Sequence, residues 1–185
     1  MPILPVLMWG AVAVILLSLV VGYNRLVRLQ QEVRGAWAQI DVQLKRRHDL
    51  IPNLVEAVKG YMVHERQTLE RVISARTQAI NAAGLPAKAE AENVLTHTLR
   101  TLFAVVERYP ELKANQNVLA LQEELISTEN RIAFARQFYN DQVARLNTAV
   151  GSVPTNLIAN AARVRPAEFF QLDDQGERAA PVVKL

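Results

Sequence analysis

Residues 26–58, LVRLQQEVRGAWAQIDVQLKRRHDLIPNLVEAV, carry an apolar side chain at nearly every third or fourth position. Steps that alternate between three and four residues are typical of a helix whose one face packs in a bundle. The spacing therefore predicts a long helix with a single buried stripe. The stripe consists of Leu26, Leu29, Val33, Trp37, Ile40, Leu44, Ile51, Leu54 and Val58.

Pro52 lies within this stretch and allows two interpretations: a kink in one helix, or the first turn of a second helix capped by Asp49. The apolar stripe keeps its phase across Pro52, which a chain reversal would not require. With a reversal near Gly60, the part of the first helix that follows the amino-terminal apolar segment is about 52 Å long. The last helix is about 58 Å long, so the two form a matched pair. A reversal at Asp49 gives unmatched helices of about 36 and 51 Å. We therefore expect the reversal near Gly60.

Further apolar stripes predict helices over residues 62–83, 88–108 and 111–150. Gly84 is expected to close the first of these helices, and Tyr109–Pro110 to separate the other two. With the first helix they form an all-α fold, an up-and-down four-helix bundle. The expected core positions are Met62, Leu69, Val72, Ile73, Ile80, Leu95, Leu99, Leu102, Val105, Val106, Val118, Leu121, Leu125, Thr128, Ile132, Ala135, Tyr139, Val143, Leu146 and Val150.

The amino-terminal segment predicts a transmembrane anchor over residues 1–24. No side chain from residue 2 to residue 24 is charged, and roughly 20 apolar residues suffice to cross a bilayer. A cleaved signal peptide fits less well, because no basic region precedes the apolar run and no small-residue cleavage site follows it. Arg25, Arg28 and Arg34 cluster just after the segment, which predicts an outside amino terminus and a cytoplasmic bundle over residues 25–152, held at the cell membrane.

The composition excludes several kinds of chemistry. The 185 residues include no cysteine, which removes disulfide frameworks, thiolate metal sites and cysteine nucleophiles. The formal charge of +3 comes without a basic patch interleaved with aromatic residues, so we expect no nucleic-acid partner. His64–Glu65 begins a zinc-protease pattern that fails at Thr68, and no phosphate loop or nucleophile elbow occurs. We expect a protein that is not an enzyme and has no cofactor.

A metal site in the bundle is the alternative to that interpretation. His48, His97 and Glu124 fall at one height of the predicted bundle, and histidines with carboxylates can bind a metal there. However, no histidine has a glutamate three residues before it, as the di-iron signature requires. Hydrogen-bonded polar side chains are the preferred interpretation. A metal- or ligand-binding sensor or enzyme is the rival one.

Arg47 occupies the apolar stripe between Leu44 and Ile51. A buried arginine needs a partner, and Glu123 or Glu124 is at the right height. In the alternative, the aliphatic stem covers the stripe and the guanidinium reaches water. Polar residues in the last helix predict an internal polar layer that fixes helix register rather than a catalytic pocket. The predicted layer consists of Arg47, Thr128, Glu129, Asn130, Arg131 and Arg136.

Residues 153–170 predict a short amphipathic segment, and residues 171–185 a flexible tail. The segment could lie on the bilayer with Arg163 and Arg165 at the headgroups, and so remodel the membrane. The alternative is that it plugs the base of the bundle. Its apolar face consists of Leu157, Ile158, Ala161 and Val164, extended by Phe169 and Phe170.

Three runs of residues resemble the bacterial LemA family: RRHDLIPNLVE at 46–56, ELISTENRIAFARQFYN at 124–140 and VPTNLIANAARVRPAEFF at 153–170. The resemblance covers nearly everything from the anchor to Phe170. It implies a single-pass membrane protein whose cytoplasmic helical bundle has a bromodomain-like fold. It implies no established enzymatic activity, cofactor or ligand. One branch of the family, in magnetosome-forming bacteria, is linked to building internal membranes.

The preferred functional interpretation is a non-enzymatic scaffold or adaptor at the cytoplasmic membrane face. Its expected partners are the lipid bilayer and an unknown membrane or cytoplasmic protein, and a homo-oligomer stays open. Exposed aromatic and arginine side chains without a core duty are typical of partner contacts. The predicted contacts are the distal tip (Gly60, Tyr61, Tyr109 and Pro110) and a face with Arg46, His48 and Asn53.

Overall fold

The computed structural model describes the backbone of residues 3–170 and the side chains of residues 7–170. The described backbone is helical, without strands, which confirms the predicted all-α fold. In chain order the helices are α1 (Ile3–Lys59), a 3-10 turn (Val63–Glu65), α2 (Arg66–Asn81), α3 (Leu85–Val106), α4 (Pro110–Ala114), α5 (Gln116–Gly151) and α6 (Thr155–Ala161).

The described chain divides into two compact units. The α6 unit contains the chain up to Ile40 together with Ala135–Phe169. The bundle unit contains Asp41–Phe134 together with Phe170. Both long helices, α1 and α5, contribute one part to each unit.

The bundle unit is built around one apolar core shared by α1, α2, α3, α4 and α5. Each large aliphatic side chain taken fully out of water contributes about 1.5–3 kcal/mol, so this core is the main source of stability. The bundle thus arises from the apolar spacing that the sequence shows. Its buried members are Ile51, Leu54, Val55, Val58, Met62, Leu69, Val72, Ala75, Ala79, Leu95, Leu99, Leu102, Val105, Val106, Leu112, Val118 and Leu125.

Pro52 lies inside α1, which continues to Lys59 before the chain reverses. The backbone N–H groups of Tyr61 and Met62 both donate to the carbonyl of Val58, at 3.1 and 3.0 Å, and close the turn. The expected reversal near Gly60 is confirmed, and the alternative reversal at Asp49 is wrong.

Helix α2 differs from the prediction in its start and in part of its buried face. The helix begins at Arg66, after the 3-10 turn, and it buries Ala75 and Ala79. Ile73 and Ile80, expected in the core, are 48% and 47% exposed. The small alanines allow α2 to lie close against α3, so the buried stripe follows the alanines and the isoleucines turn outward.

Gly84 joins α2 to α3 with a φ of 82°, a conformation that favours glycine. It was expected to close α2, but α2 ends at Asn81 and Gly84 is the residue before α3. Pro86 lies in the first turn of α3, where a helix needs no N–H donor.

Asn115 interrupts the helix that the sequence predicts from residue 111. Its backbone is extended, with ψ at 109°, and separates the short α4 from α5. The side-chain Oδ1 of Asn115 accepts hydrogen bonds from the N–H groups of Asn117 and Val118, at 3.0 and 3.3 Å. The prediction of one continuous helix is wrong because asparagine satisfies the free N–H groups of a new helix better than it extends an old one.

The α6 unit packs part of α1 against the second half of α5. The rings of Trp37 and Tyr139 meet edge to face, with centroids 5.7 Å apart. Apolar side chains of α1 from Leu7 to Val21 are exposed, and α1 is the one helix among those described that is long and apolar enough to cross a membrane. Buried members of this unit are Leu26, Val33, Ala36, Ile40, Ala135, Tyr139, Val143, Leu146, Ala149, Ala159 and Val164.

Candidate functional site

A charged cluster lies in the interior of the bundle unit, with Arg47 at its centre. The Arg47 side chain is completely buried. Its guanidinium donates hydrogen bonds to the carboxylates of Glu92 on α3 and Glu129 on α5, and to the Thr96 hydroxyl at 2.7 Å. Removing such charges from water is costly, and only close pairing offsets that cost. The cluster therefore requires α1, α3 and α5 in one register.

His48, the next residue, contacts the same cluster through Glu92. Its ring is largely buried, and Nε2 lies 3.0 Å from Oε1 of Glu92. Its backbone carbonyl accepts a 2.7 Å hydrogen bond from Nε of Arg76 on α2. The Arg47–His48 pair thus connects α1 with each of the other main helices of the bundle unit.

Glu92 is ionised in this interior because of its neighbours. Burial acts to raise the pKa of its carboxyl group. The hydrogen bond with His48 and the positive charge of Arg47 act in the opposite direction and hold the pKa below its usual value. A buried carboxylate held in the charged form is a fixed negative charge beside the Arg47 guanidinium.

The expected partners of Arg47 were wrong. Glu124 pairs instead with the exposed Arg46, at 2.5 Å. The snorkelling alternative is also wrong, because no part of the Arg47 side chain reaches water. Glu92, which sequence reasoning missed, follows Ala89 by three residues and precedes Leu95 by three, so it lies in phase with the buried stripe of α3. That phase was the signal that could have identified it.

The other members of the predicted polar layer divide between interior and surface. Thr128 is buried and its hydroxyl donates to the carbonyl of Glu124 at 2.8 Å. Arg136 is buried within the α6 unit. Asn130 and Arg131 are exposed, and their place in an internal layer was wrong because both follow the outer side of α5.

Two of the three residues of the predicted partner face, Arg46, His48 and Asn53, lie at the surface. His48 is buried, so its assignment to the surface was wrong, whereas Arg46 and Asn53 are exposed. At the tip, Tyr61 is exposed, while Tyr109 is half-buried and packs against the core. Gly60 and Pro110 are exposed as well.

The metal-site alternative required His48, His97 and Glu124 to converge. His97 is exposed, and Nε2 of His48 faces the carboxylate of Glu92. Among residues 7–170, no three His, Asp or Glu side chains are arranged to hold a metal ion. The buried charges of the described bundle are engaged in joining helices to one another.

Taken together, the fold and the cluster define an all-α protein: a helical bundle with internal charge pairs and one apolar helix of membrane-spanning length. The sequence profile of the LemA family matches residues 36–185, and the chain belongs to this family.

Several relatives match along most of their length. The chain is 23% identical over 193 residues to magnetosome protein MamQ 2 of Paramagnetospirillum magneticum, covering 90% of this chain and 71% of the relative. It is 22% identical over 186 residues to magnetosome protein MamQ of Magnetospirillum gryphiswaldense, covering 86% and 68%. It is 24% identical over 152 residues to protein LemA of Metamycoplasma hominis, covering 82% and 69%.

Proposed function

We propose that this protein is a non-enzymatic scaffold of the bacterial inner membrane. In this proposal α1 crosses the bilayer once, with its amino terminus outside, and the bundle unit is held in the cytoplasm, where it binds another protein. The observation that carries the proposal is the continuity of α1, which runs without a break from a fully exposed apolar stretch into the core of the bundle unit.

The exposed stretch of α1 supports the anchoring part. Leu7, Trp9 and Leu17 are 64%, 74% and 65% exposed, and none of the 18 residues in the most apolar window of α1 is buried. Lipid is the solvent in which such a surface is stable, because acyl chains replace the missing protein contacts. Arg25, Arg28 and Arg34 then follow on the cytoplasmic side.

The internal use of the buried charges supports a scaffold over an enzyme. Arg47, Glu92 and Glu129 bind one another, and His48 faces Glu92, so these side chains are already committed to holding helices together. Catalysis would instead need a base or nucleophile directed at a substrate.

The surface of the bundle unit supports partner binding. Phe134 is 73% exposed on α5, and Ile126 lies eight residues before it with 47% exposure. Large exposed apolar side chains of this kind often mark protein contacts. With Arg46, Asn53 and Tyr61 they form the proposed contact residues.

Photocrosslinking in intact cells tests the scaffold. A photoreactive residue is placed at Phe134 or Tyr61 in the full chain, and a matched one at the exposed Glu107, outside the proposed contacts. We expect products containing a second protein from Phe134 or Tyr61 and none from Glu107. Products from neither proposed contact, in cells where the protein is abundant in the membrane fraction, would contradict the scaffold role.

A further inference from the structure

Helix α6 is seated directly on α1 at Gly22. A Cβ atom added to Gly22 would collide with Cδ1 of Ile158. The absence of a side chain at Gly22 therefore leaves room on α1 for the end of the Ile158 side chain. Ala159, the next residue of α6, is completely buried.

The contact lies at the end of the apolar stretch of α1. Trp37 packs on Tyr139, and Gly22 is fifteen residues before Trp37, about 22 Å along α1. From Tyr139, α5 continues for twelve residues to Gly151, about 18 Å. The end of α5 and the start of α6 are therefore level with Asn24, where the uncharged amino-terminal stretch of α1 ends.

The outer side of this junction is apolar and uncovered. Val153 is 80% exposed and Leu157 is 67% exposed, whereas Ala159 faces the protein. One short segment thus has two apolar faces, one against α1 and one directed outward. At the level of a bilayer surface, the outward face meets acyl chains rather than water.

Basic side chains follow immediately after α6. Arg163 and Arg165 are exposed, and Arg163 has a φ of 55°, a left-handed conformation that usually belongs to glycine at this position. The N–H of Arg163 donates to the carbonyl of Asn160, and that of Val164 to Ala159, which closes the helix. The guanidinium groups of Arg163 and Arg165 are exposed, and lipid phosphate is a suitable partner for them.

We propose that residues 153–165 form a second membrane contact beside the anchor, with Val153 and Leu157 among the acyl chains and Arg163 and Arg165 at the lipid phosphates. The inference rests on the proposed function, since it requires α1 to cross the bilayer. A second contact beside the anchor resists tilting of the α6 unit relative to the bilayer plane.

Spin labels on single cysteines test this directly, because the chain has no native cysteine. The full chain is reconstituted in vesicles of phosphatidylcholine and phosphatidylglycerol. Labels are placed at Leu157→Cys and Val153→Cys, with Ile15→Cys as the anchor control and the exposed Ser127→Cys as the water control. Collision rates with oxygen, which concentrates in lipid, and with a water-soluble nickel chelate report the depth of each label.

We expect the Ile15 label to lie deep in lipid, the Leu157 and Val153 labels to lie at interfacial depth, and the Ser127 label to lie in water. Replacing Arg163 and Arg165 with glutamine should move the Leu157 label toward water. A lipid-buried Ile15 label with Leu157 and Val153 labels as wet as Ser127 would overturn the second contact and leave the anchor intact. A wet Ile15 label would overturn both the anchor and the second contact.

Discussion

Nε of Arg76 on α2 donates a 2.7 Å hydrogen bond to the backbone carbonyl of His48 on α1. In an uninterrupted helix this carbonyl would accept from the N–H of residue 52, but that residue is proline and has no N–H. Arg76 thus supplies from the neighbouring helix the donor that Pro52 lacks. The proline becomes a point at which α2 is joined to α1.

Arg76→Ala is expected to destabilise the protein by about 1–3 kcal/mol, because the carbonyl of His48 then lacks a donor. In a Pro52→Ala background the same change should cost less, since the new N–H at residue 52 can bond that carbonyl. Chemical unfolding of the full chain in detergent, followed by circular dichroism, measures the wild type, the two single variants and the double variant. The exposed Arg71→Ala is the control and should change stability by no more than about 0.5 kcal/mol. Equal costs of Arg76→Ala in both backgrounds would refute the shared carbonyl.

Breaking the buried pair of Arg47 and Glu92 is expected to cost about 3–5 kcal/mol, because one charge is left unpaired in the interior. Arg47→Met and Glu92→Leu combined should cost far less than the sum of the two single changes. Equilibrium unfolding of the three variants gives the interaction energy. Arg46→Ala, which removes an exposed pair with Glu124, should cost about 1 kcal/mol or less. Strict additivity of the Arg47 and Glu92 changes would contradict the buried pair.

Acid should weaken the bundle through Glu92. The pKa of this carboxyl is lowered in the folded state, so its contribution to stability is present above the usual value of 4.5 and is lost as pH falls through the lowered folded pKa. The expected result is a difference in unfolding free energy between wild type and Glu92→Gln that shrinks as pH falls below 4.5. The other charged or titratable side chains of the cluster are the same in both proteins: Arg47, His48, Arg76 and Glu129. A difference that stays constant with pH would show that the carboxylate charge contributes nothing.

Asn115→Ala is expected to destabilise the protein by about 1 kcal/mol, because the first N–H groups of α5 lose the oxygen that caps them. Asn115→Asp keeps a capping oxygen and should be close to wild type. Thermal unfolding and amide exchange of Val118 are the measurements. If Asn115→Asp were as destabilised as Asn115→Ala, capping would not be the role of this side chain.

Arg163→Gly is expected to raise the free energy of unfolding by about 1 kcal/mol, since glycine adopts a φ of 55° without the steric cost that arginine bears. Arg165→Gly, two residues further and outside the left-handed turn, is the matched control and should not stabilise. Thermal unfolding in detergent micelles compares the two variants. A loss of stability in Arg163→Gly would contradict the expected relief of steric cost at this residue.

Apolar spacing was sufficient to predict the helical fold and the reversal at Gly60. In α1 the stripe and the buried face agree because large aliphatic residues occupy the inward positions. In α2 they disagree, because alanine carries too little apolar surface to dominate a pattern although it allows close helix packing. The break at Asn115 depends on two hydrogen bonds within one turn, which a search for periodicity does not detect.

Polar partners were harder to predict than the core. The position of Arg47 within the stripe indicated a buried charge, but height along a bundle with straight helices gave Glu123 and Glu124 as partners. Glu92 and Glu129 face Arg47 because of the rotation of α3 and α5 about their own axes, and a sequence does not give that rotation directly. The burial of His48 has the same origin, since it follows from contact with Glu92 across the core.

The separation of Arg47 from its two acidic partners also sets an order of events during synthesis. Glu92 leaves the ribosome 45 residues after Arg47, and Glu129 follows 82 residues after it. Until then the guanidinium stays hydrated, and the part of α1 around it has no interior to enter. The apolar amino-terminal stretch is translated before these acidic partners, so in the proposed topology it is available to the membrane before the cluster can close.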